Sequence, residues 1–460
     1  MNHIYQKFLE EAEKISFDEE HRKRLNHNIG RYDEQVERGK DQYQNLDLSK
    51  RRAANIKHKV INNLDKYLVE FENNFSKRGG RVIWALNEKD AQREIMHIIK
   101  KAKAKVIVKQ KTMVSEEVEL NELFEKNKRE VFETDLGEYI VQLAGEKPYH
   151  ILTPAMHKSK EDVSKLFHEK FNLPADSQPE QITQFVREKL RGEFIRADVG
   201  ITGGNFLIAD VGAVGLTENE GNGLLCMAFP KIHIVIVGIE KLIPSIEDLD
   251  LFLPLLAQHG TGQHITVYNN IVFGPQSEFE PDGPEEMFVV LLDNRRTELL
   301  KFKDQRRALC CIRCGACLNG CPIYKSIGGY TYKTTYSGPI GSVISPHYLG
   351  MKEFNHLSFA SSLCGKCTEV CPIKIPLHEL LLRNRHEAVS KKYISFKWRK
   401  IISMWKMVML HRWMIDKPSS GLKNRIINRI GRKMWGKRRA LPKIASKSFK
   451  DRWKEIHPKV

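Results

Sequence analysis

Two short runs of cysteine constrain this chain more than any other feature of its 460 residues. The first run has the spacing C-x2-C-x2-C-x3-C-P, and the second, C-x2-C-x3-C-P, ends in the same way. The two runs comprise Cys311, Cys314, Cys317, Cys321, Cys364, Cys367 and Cys371. The first spacing is that of bacterial ferredoxins, in which cysteine thiolates bind 4Fe-4S clusters. The runs therefore predict a module with two 4Fe-4S clusters, which transfers electrons singly.

The ferredoxin rule also predicts how the thiolates are shared, because the cysteine before the proline points to the other cluster. The predicted ligands of cluster 1 are Cys311, Cys314, Cys317 and Cys371. The predicted ligands of cluster 2 are Cys321, Cys364 and Cys367. A structural zinc site is the main alternative, since paired C-x2-C knuckles also bind zinc. The repeated x3-C-P endings and the number of thiols favour clusters.

One position departs from the ferredoxin pattern. Ser361 stands where the first cysteine of the second run is expected, so cluster 2 has three thiolates. Its fourth iron could take Ser361 or Ser362 as an alkoxide, the neighbouring Cys310, or water, or that iron could be missing. Cys310 is equally consistent with a spare thiol. Cys226, far from both runs, is expected to be a buried small hydrophobe.

The distribution of cysteines indicates a reducing compartment. Eight of the nine lie between positions 310 and 371, whereas a disulfide framework would spread them through a small secreted chain. The N-terminal residues lack the apolar core of a signal peptide. No apolar stretch approaches the roughly 18 residues that cross a bilayer. We therefore expect a cytoplasmic protein.

The formal charge of +18 belongs to the C-terminal end. Residues 391–460 contain 22 Lys and Arg against 3 Asp and Glu, and the rest of the chain contains 53 against 54. The near-neutral body gives no reason to expect nucleic-acid binding. The tail also holds five of the six tryptophans, which are Trp398, Trp405, Trp413, Trp435 and Trp453.

Part of this tail is predicted to form a basic amphipathic helix. Trp398, Ile402, Trp405 and Met409 fall on one helical face, and lysines and arginines spread over the others. Such a helix can lie in a membrane interface or dock on an acidic partner subunit. We expect peripheral membrane or partner contact. A solvated helical extension and nucleic-acid binding are the alternatives.

Four regions are predicted along the chain. Residues 1–78 form two or three amphipathic helices with breaks at Gly30 and Gly39, and residues 79–302 form an α/β domain. Residues 303–390 form an α-helical, ferredoxin-type two-cluster module, and residues 391–460 form the basic helical tail. Strands of the α/β domain are predicted at 82–85, 106–109, 149–152, 206–209, 232–237 and 288–292.

Polar residues interrupt or follow the apolar runs of the α/β domain. They are Lys109, Lys111, Glu133, Asp135, Glu138, Thr202, Asn205, Glu218 and Glu220. Since α/β sheets bind ligands at the carboxyl ends of their strands, these residues could converge on a pocket for a small anion or substrate. The alternative is that they cap turns and form salt bridges. His259 and His264 are further candidates to line a cleft.

Several segments of the α/β domain are very similar to the LUD domain of bacterial lactate utilization proteins. These segments are 109–113, 133–140, 200–206, 219–222, 238–241 and 293–294. The cysteine module and the tail match as well, so the resemblance extends over nearly the full length. The chain is identified as a member of the LUD-domain iron–sulfur protein family. The resemblance implies an α/β fold like that of the sugar-phosphate isomerase and CoA-transferase group.

The resemblance also implies a function. Family members of this kind are iron–sulfur subunits of three-component systems that oxidise L-lactate to pyruvate and allow growth on lactate. Companion subunits A and C would then act on lactate, and the two clusters would carry the electrons to an acceptor that is not identified. The alternative is an oxidoreductase subunit for another organic acid, bound in its own LUD domain. A regulator that senses iron and binds nucleic acid through the tail is a third hypothesis, against which the neutral body speaks.

Overall fold

The computed structural model describes residues 3–431 and 440–458. They form two compact units, residues 1–388 and 389–460. The first contains the N-terminal helices, the α/β region and the cysteine module, and the second contains the basic tail. Trp435 of the predicted tail lies outside the described residues.

Four helices precede the first strand, which is more than the two or three expected. They are α1 (His3–Ser16), α2 (Glu19–Gly39), α3 (Leu46–Asn62) and α4 (Leu64–Ser76). Gly39 ends α2, but the predicted break at Gly30 is wrong. The helix continues through Gly30 because Leu25 and Ile29 are buried on one side of it. The free energy gained by burying these side chains outweighs the low helix propensity of a single glycine.

Ten strands lie in the described part of the α/β region. They are β1 (Arg81–Ala85), β2 (Val106–Lys109), β3 (Glu130–Glu133), β4 (Val199–Thr202), β5 (Phe206–Ile208), β6 (Ala213–Glu218), β7 (Ile232–Gly238), β8 (Leu242–Ile243), β9 (Tyr268–Val272) and β10 (Glu286–Leu292). Six of them form a parallel sheet in the order β1-β10-β7-β4-β2-β3. The other four form a smaller sheet, β8-β5-β6-β9, in which β6 is antiparallel to β5 and β9.

Helices cover both faces of the parallel sheet, so its strands are apolar at nearly every position. In β7, Val235 and Val237 belong to a core shared with the N-terminal helices and the cysteine module. Ile234 and Ile236 belong to the core on the opposite face. The helices of this region are α5 (Glu88–Lys101), α6 (Met113–Glu117), α7 (Leu120–Lys126), α8 (Leu136–Leu143), α9 (Lys160–Phe171), α10 (Pro179–Arg196), α11 (Asn222–Ala228), α12 (Leu249–Thr261) and α13 (Arg296–Leu300).

The strand predicted at 149–152 is wrong. This segment is an irregular bend whose apolar side chains pack against the cysteine module instead of joining a sheet. The side chains of Ile151 and Leu152 lie against Gly315, and the carbonyl of Tyr149 accepts a hydrogen bond from Tyr324. A short apolar run is expected both for a buried strand and for an irregular segment packed against another domain, so hydrophobic periodicity could not distinguish these two structures.

The cysteine module is helical. Its helices are α14 (Ala316–Asn319), α15 (Pro322–Ile327), α16 (Gly338–Leu349), α17 (Met351–Phe359), α18 (Lys366–Glu369) and α19 (Leu377–Ser390). The tail contains α20 (Phe396–Leu410), α21 (Arg412–Asp416), α22 (Ser420–Ile426) and α23 (Phe449–Ile456). Within the described ranges, no helix combines the length and apolar character that crossing a membrane requires.

Lys57 joins the N-terminal helices to the sheet, and its loss should destabilise the protein. The buried Nζ donates to the carbonyls of Glu240 (2.7 Å) and Leu242 (2.9 Å). Lys57→Met leaves both carbonyls without this donor, so we expect the free energy of unfolding to fall by about 2 kcal/mol or more. Chemical denaturation measures the change. Lys59→Met, on the exposed side of α3, is the control and should change stability by less than about 0.5 kcal/mol.

Candidate iron–sulfur centres and the adjoining pocket

The same local device shapes both cysteine runs. Gly315 and Gly365 each adopt a left-handed conformation (φ 78° and 83°) and start the one-turn helices α14 and α18. A side chain would be strained at this φ, so glycine is favoured directly after Cys314 and directly after Cys364. Backbone N–H groups are directed at the sulfurs: that of Arg313 donates to Cys311 Sγ, and that of Ile375 donates to Cys371 Sγ, both at 3.4 Å.

A cavity of about 670 Å³, the cluster cavity, brings together thiols from both runs. It is lined by Cys311, Cys314, Cys317 and Cys371. Burial raises the pKa of the Cys317 thiol, and Cys311, Cys314 and Cys371 raise it further. Thiols so buried need a cation to ionise. This set of four fits a cluster with complete thiolate ligation, with Cys371 supplied by the second run as the spacing predicts.

The remaining thiols form a second set. Burial raises the pKa of Cys367 to about 11, and Cys321 and Cys364 contribute to the same shift. Cys364 is exposed and Cys321 is partly buried, so this set lies nearer solvent than the first. Each thiol is thus an electrostatic neighbour of the partners that the ferredoxin rule assigns to it.

No three of the described thiol sulfurs lie within 4.8 Å of one another. Tetrahedral Zn–S bonds of about 2.3 Å would place the sulfurs about 3.8 Å apart. In residues 3–431 and 440–458, the one group of three or more potential ligand atoms within 4.8 Å of one another consists of Glu116, Glu133 and Glu138. A tetrahedral site for a single ion is therefore not preformed among the described thiols.

The fourth position of the second set is occupied by serine. Ser361 is half-buried and its Oγ accepts a hydrogen bond from the N–H of Leu363 at 3.1 Å, whereas Ser362 is exposed. Cys310 is buried, and the thiols that influence its pKa are Cys311 and Cys371, which belong to the first set. Its surroundings therefore favour a spare thiol over a ligand of the second set.

A second cavity, the carboxyl-edge pocket, lies where the strands of the parallel sheet end and has a volume of about 270 Å³. Five of the predicted residues line it: Lys111, Asp135, Asn205, Glu218 and Glu220. Two of these residues also cap helices, which resembles the alternative role in turn capping and salt bridges that the sequence left open. Asp135 accepts from the N–H of Glu138 at the start of α8, and Glu218 accepts from the N–H groups of Gly223 and Leu224 in α11.

The other predicted residues lie outside this pocket. Lys109 Nζ is buried and pairs with Glu133 at 2.7 Å and Glu116 at 3.3 Å. Burial opposes its charge, but these carboxylates raise the pKa of Lys109. Glu138 is buried beside them, and neither carboxylate oxygen has a hydrogen-bond partner among the described residues. Thr202 is also buried and hydrogen-bonds His233 at 2.8 Å.

The candidate histidines and Cys226 do not line the carboxyl-edge pocket. His259 is buried in α12 and its Nδ1 bonds the Leu255 carbonyl at 2.9 Å, while His264 is exposed, so the structure gives neither a place in the carboxyl-edge pocket. His150 bonds Asn319 at 3.1 Å. Cys226 is fully buried, as expected of a small hydrophobe.

A buried charge network, which the sequence did not predict, separates the two cavities. Arg296, fully buried, donates to Glu117 (2.8 Å) and to Glu240 (2.6 Å). Arg313, inside the first cysteine run, reaches Glu240 at 3.4 Å and stacks on Tyr336 with 4.3 Å to the ring centroid. Arg313 and Tyr336 line both cavities. In the sequence, the charged pair Glu240-Lys241 just after the apolar strand β7 was the feature that could have indicated this network.

Comparisons with known proteins agree with this arrangement. The LUD domain family matches residues 68–292, and the 4Fe-4S dicluster domain family matches residues 307–375. Lactate utilization protein B of Bacillus velezensis is 45% identical over 341 residues, which cover 74% of this chain and 71% of that protein. The chain belongs to the lactate utilization protein B family.

Other members of the lactate utilization protein B family give similar figures. The Bacillus subtilis protein is 45% identical over 74% of this chain and 71% of its own length, and the Bacillus cytotoxicus protein is 45% identical over 73% and 71%. These matches are shorter than the near-full-length resemblance inferred from the sequence. The match to the crystal structure of a DUF162 family protein from Deinococcus radiodurans covers 50% of this chain and 98% of that one, at 12% identity and a TM-score of 0.26.

Glu138→Gln should stabilise the protein increasingly as pH rises. Burial, then Glu133, raises the pKa of Glu138 well above 4.5, so the folded protein retains a proton that the unfolded chain releases. The stability that this proton contributes is complete below the ordinary pKa and is lost as pH rises through the raised one. A glutamine, always neutral, escapes this loss.

Urea denaturation from about pH 4 to about pH 8 measures the difference between variant and wild type. Glu125→Gln on the exposed side of α7 is the control and should show no such trend. A difference for Glu138→Gln that does not change with pH would contradict the raised pKa.

Proposed function

We propose that this protein is the iron–sulfur electron-transfer subunit of a cytoplasmic complex that oxidises L-lactate to pyruvate and allows growth on lactate. The observation that carries the proposal is the convergence of four thiols from two separate runs on one cavity, with the other three beside one another. Membership of the lactate utilization protein B family supports the choice of lactate. Companion subunits A and C would bind lactate and act at its carbon, and an acceptor yet to be identified would receive the electrons.

The residues would divide the work as follows. Cys311, Cys314, Cys317 and Cys371 would hold cluster 1, and Cys321, Cys364 and Cys367 would hold cluster 2. Such clusters supply one-electron transfer when bound. Three thiols of the first set are buried and Cys311 is partly buried, which would limit access of water, and the backbone N–H groups directed at Cys311 and Cys371 would stabilise the ligated thiolates. The exposed Cys364 would bring the second set within reach of a docked redox partner.

The LUD domain would have a binding role in this proposal, and we expect it to share the fold of the isomerase and CoA-transferase group. The carboxyl-edge pocket, with Lys111, Asp135, Asn205 and Glu220, would take a small ligand. Lys109, Glu133, Glu138 and Thr202 would support the strand ends beneath it. This division follows from their burial and pairing, because the first four line the pocket and the second four do not.

A second candidate function is an oxidoreductase subunit that binds its own organic acid in the LUD domain. The observation that favours it is that Arg313 and Tyr336 line both the carboxyl-edge pocket and the cluster cavity. Incubating the purified protein alone with L-lactate and an artificial electron acceptor separates the two candidates. Turnover by the isolated chain would favour the second, and turnover only with the companion subunits would favour the first.

Because each cluster is predicted to take ligands from both cysteine runs, substitutions in different runs should affect the same cluster. Cys371→Ala, in the second run, should abolish the same electron paramagnetic resonance signal as Cys311→Ala, in the first. Cys367→Ala should abolish the other signal. Anaerobically purified protein should contain about eight irons, or about seven with a three-iron signal if the serine position leaves one iron out. Each substitution should remove about half of the iron.

Two results would contradict this proposal. Loss of one signal by Cys371→Ala and Cys367→Ala alike would refute the interleaving, and zinc without a visible chromophore would refute the clusters. Cys226→Ala, which lies outside the module, is the control and should retain all of the iron. If the wild type holds about seven irons, Ser361→Cys should raise the content to about eight.

We further propose that the tail contacts an anionic membrane surface. Trp398, Ile402, Trp405 and Met409 form one face of α20, and each side chain is 45–59% exposed. Lys397, Arg399, Lys400 and Lys406 lie on the remaining faces. Exposed aromatic residues beside cations match an interfacial helix, in which each nearby Lys or Arg adds about 1 kcal/mol of attraction to anionic lipid.

The full-length protein should therefore sediment with vesicles that contain phosphatidylserine, and less so at high salt. The double substitution Trp398→Ala and Trp405→Ala should weaken vesicle binding at least about tenfold, since each buried aromatic side chain contributes roughly 1.5–3 kcal/mol. Trp84→Ala, which removes an equally exposed tryptophan from the first unit, is the matched control. Protein that stays in the supernatant at low salt would refute the membrane contact.

A further inference from the structure

The carboxyl-edge pocket contains a cation that the described part of the protein leaves unpaired. Lys241 lines the pocket and is 7% exposed, and its Nζ makes no hydrogen bond or ion pair with a described residue. The nearest carboxylate in sequence, Glu240, is already engaged by Arg296 at 2.6 Å and by Arg313 at 3.4 Å. Because an unpaired buried charge is costly, this ammonium group calls for an anionic partner from outside the chain.

Arg313 is a second cation at the same pocket, and part of its hydrogen-bonding capacity has no partner among the described residues. Its Nη2 reaches Glu240, but its Nη1 donates to no atom of residues 3–431 or 440–458. The guanidinium carbon lies over the ring of Tyr336, and both residues line the carboxyl-edge pocket and the cluster cavity. Two cations from different segments of the chain, one after β7 and one in the first cysteine run, therefore meet in one pocket.

The carboxylates of the pocket, unlike Lys241, already have hydrogen-bond or ion-pair partners within the protein. Glu218 accepts hydrogen bonds from the N–H groups of Gly223 (2.6 Å) and Leu224 (2.9 Å). Asp135 caps α8 and pairs with Lys111 at 3.4 Å, and Glu220 accepts from the N–H of Leu136 at 3.3 Å. Lys241 and Arg313 thus line a space of about 270 Å³, below the roughly 300–1,000 Å³ of pockets for drug-sized ligands. A ligand of this pocket would therefore be small, and the unpaired Lys241 would favour an anionic one.

We propose that the carboxyl-edge pocket binds a small organic carboxylate through Lys241 and Arg313, and that this binding is linked to the oxidation state of cluster 1. The link rests on the proposed function, since it requires a cluster at Cys311. Both cations interact electrostatically with Cys311. One-electron reduction would add a negative charge to the cluster, and that charge would compete with the carboxylate for the same two cations. The carboxylate would therefore bind the oxidised protein more tightly, and by reciprocity its binding would lower the reduction potential.

A reductive titration of the anaerobic holoprotein, followed by electron paramagnetic resonance, tests the proposal. Pyruvate is the probe because it is a small carboxylate, and pyruvamide, which has the same shape without the charge, is its control. Saturating pyruvate should lower one of the two midpoint potentials and leave the other unchanged, and pyruvamide should move neither. A tenfold preference for the oxidised protein corresponds to a shift of about 59 mV.

Substitutions assign the effect to the pocket. Lys241→Met should abolish the pyruvate-dependent shift, and Lys241→Arg, which keeps the charge, should retain it. Lys366→Met, which removes an exposed lysine from the second cysteine run, is the matched control and should leave the pyruvate response intact. A wild-type protein whose potentials pyruvate does not move, or moves as far as pyruvamide does, would overturn the inference, as would an undiminished shift in Lys241→Met. Absence of both cluster signals would instead overturn the proposed function, so the two failures can be told apart.

Discussion

The carboxylate of Glu240, just beyond β7, lies between the guanidinium groups of Arg296 and Arg313. Its backbone carbonyl accepts a hydrogen bond from Lys57 of α3. This one residue therefore connects the parallel sheet, α13, the first cysteine run and the N-terminal helices. Burial opposes the ionisation of Glu240, but Arg296, Arg313 and Lys241 lower its pKa to about 2. Breaking such a network by removal of one partner typically costs about 3–5 kcal/mol, because the remaining charge stays buried.

The charge of this network matters for the thiols that lie next to it. Lys57, Lys241 and Arg313 all interact electrostatically with Cys311, and Glu117 and Glu240 supply fewer negative charges than these cations and Arg296 require. A thiolate cluster carries net negative charge, and its potential responds to nearby charge, hydrogen bonds and solvent. Cations from the N-terminal helices, from the LUD domain and from the first cysteine run itself thus lie near Cys311. The two domains consequently depend on each other electrostatically as well as through a shared apolar core.

The cysteine ligands could be predicted because their spacing is local. Three thiols within seven residues can wrap one group wherever the rest of the chain lies, and the glycines that allow the turn stand between them. The apolar strands β7 and β10 were equally evident, since burial on both faces leaves a continuous apolar run. The segment 149–152 shows the limit of this signal, because packing against Gly315 requires the same residues as pairing in a sheet.

What the sequence determined by itself was therefore the chemistry that is written in short spacings: the thiol sets, the strand cores and the basic tail. Tertiary structure alone decided which polar side chains meet. It placed Lys111, Asp135, Asn205, Glu218 and Glu220 around one pocket while it paired Lys109 with Glu133 elsewhere. It also brought Arg313 to Glu240 across 73 residues and Arg296 to Glu117 across 179. Charge pairing acts through space over a few ångströms and leaves no period in the sequence, so only the folded chain reveals it.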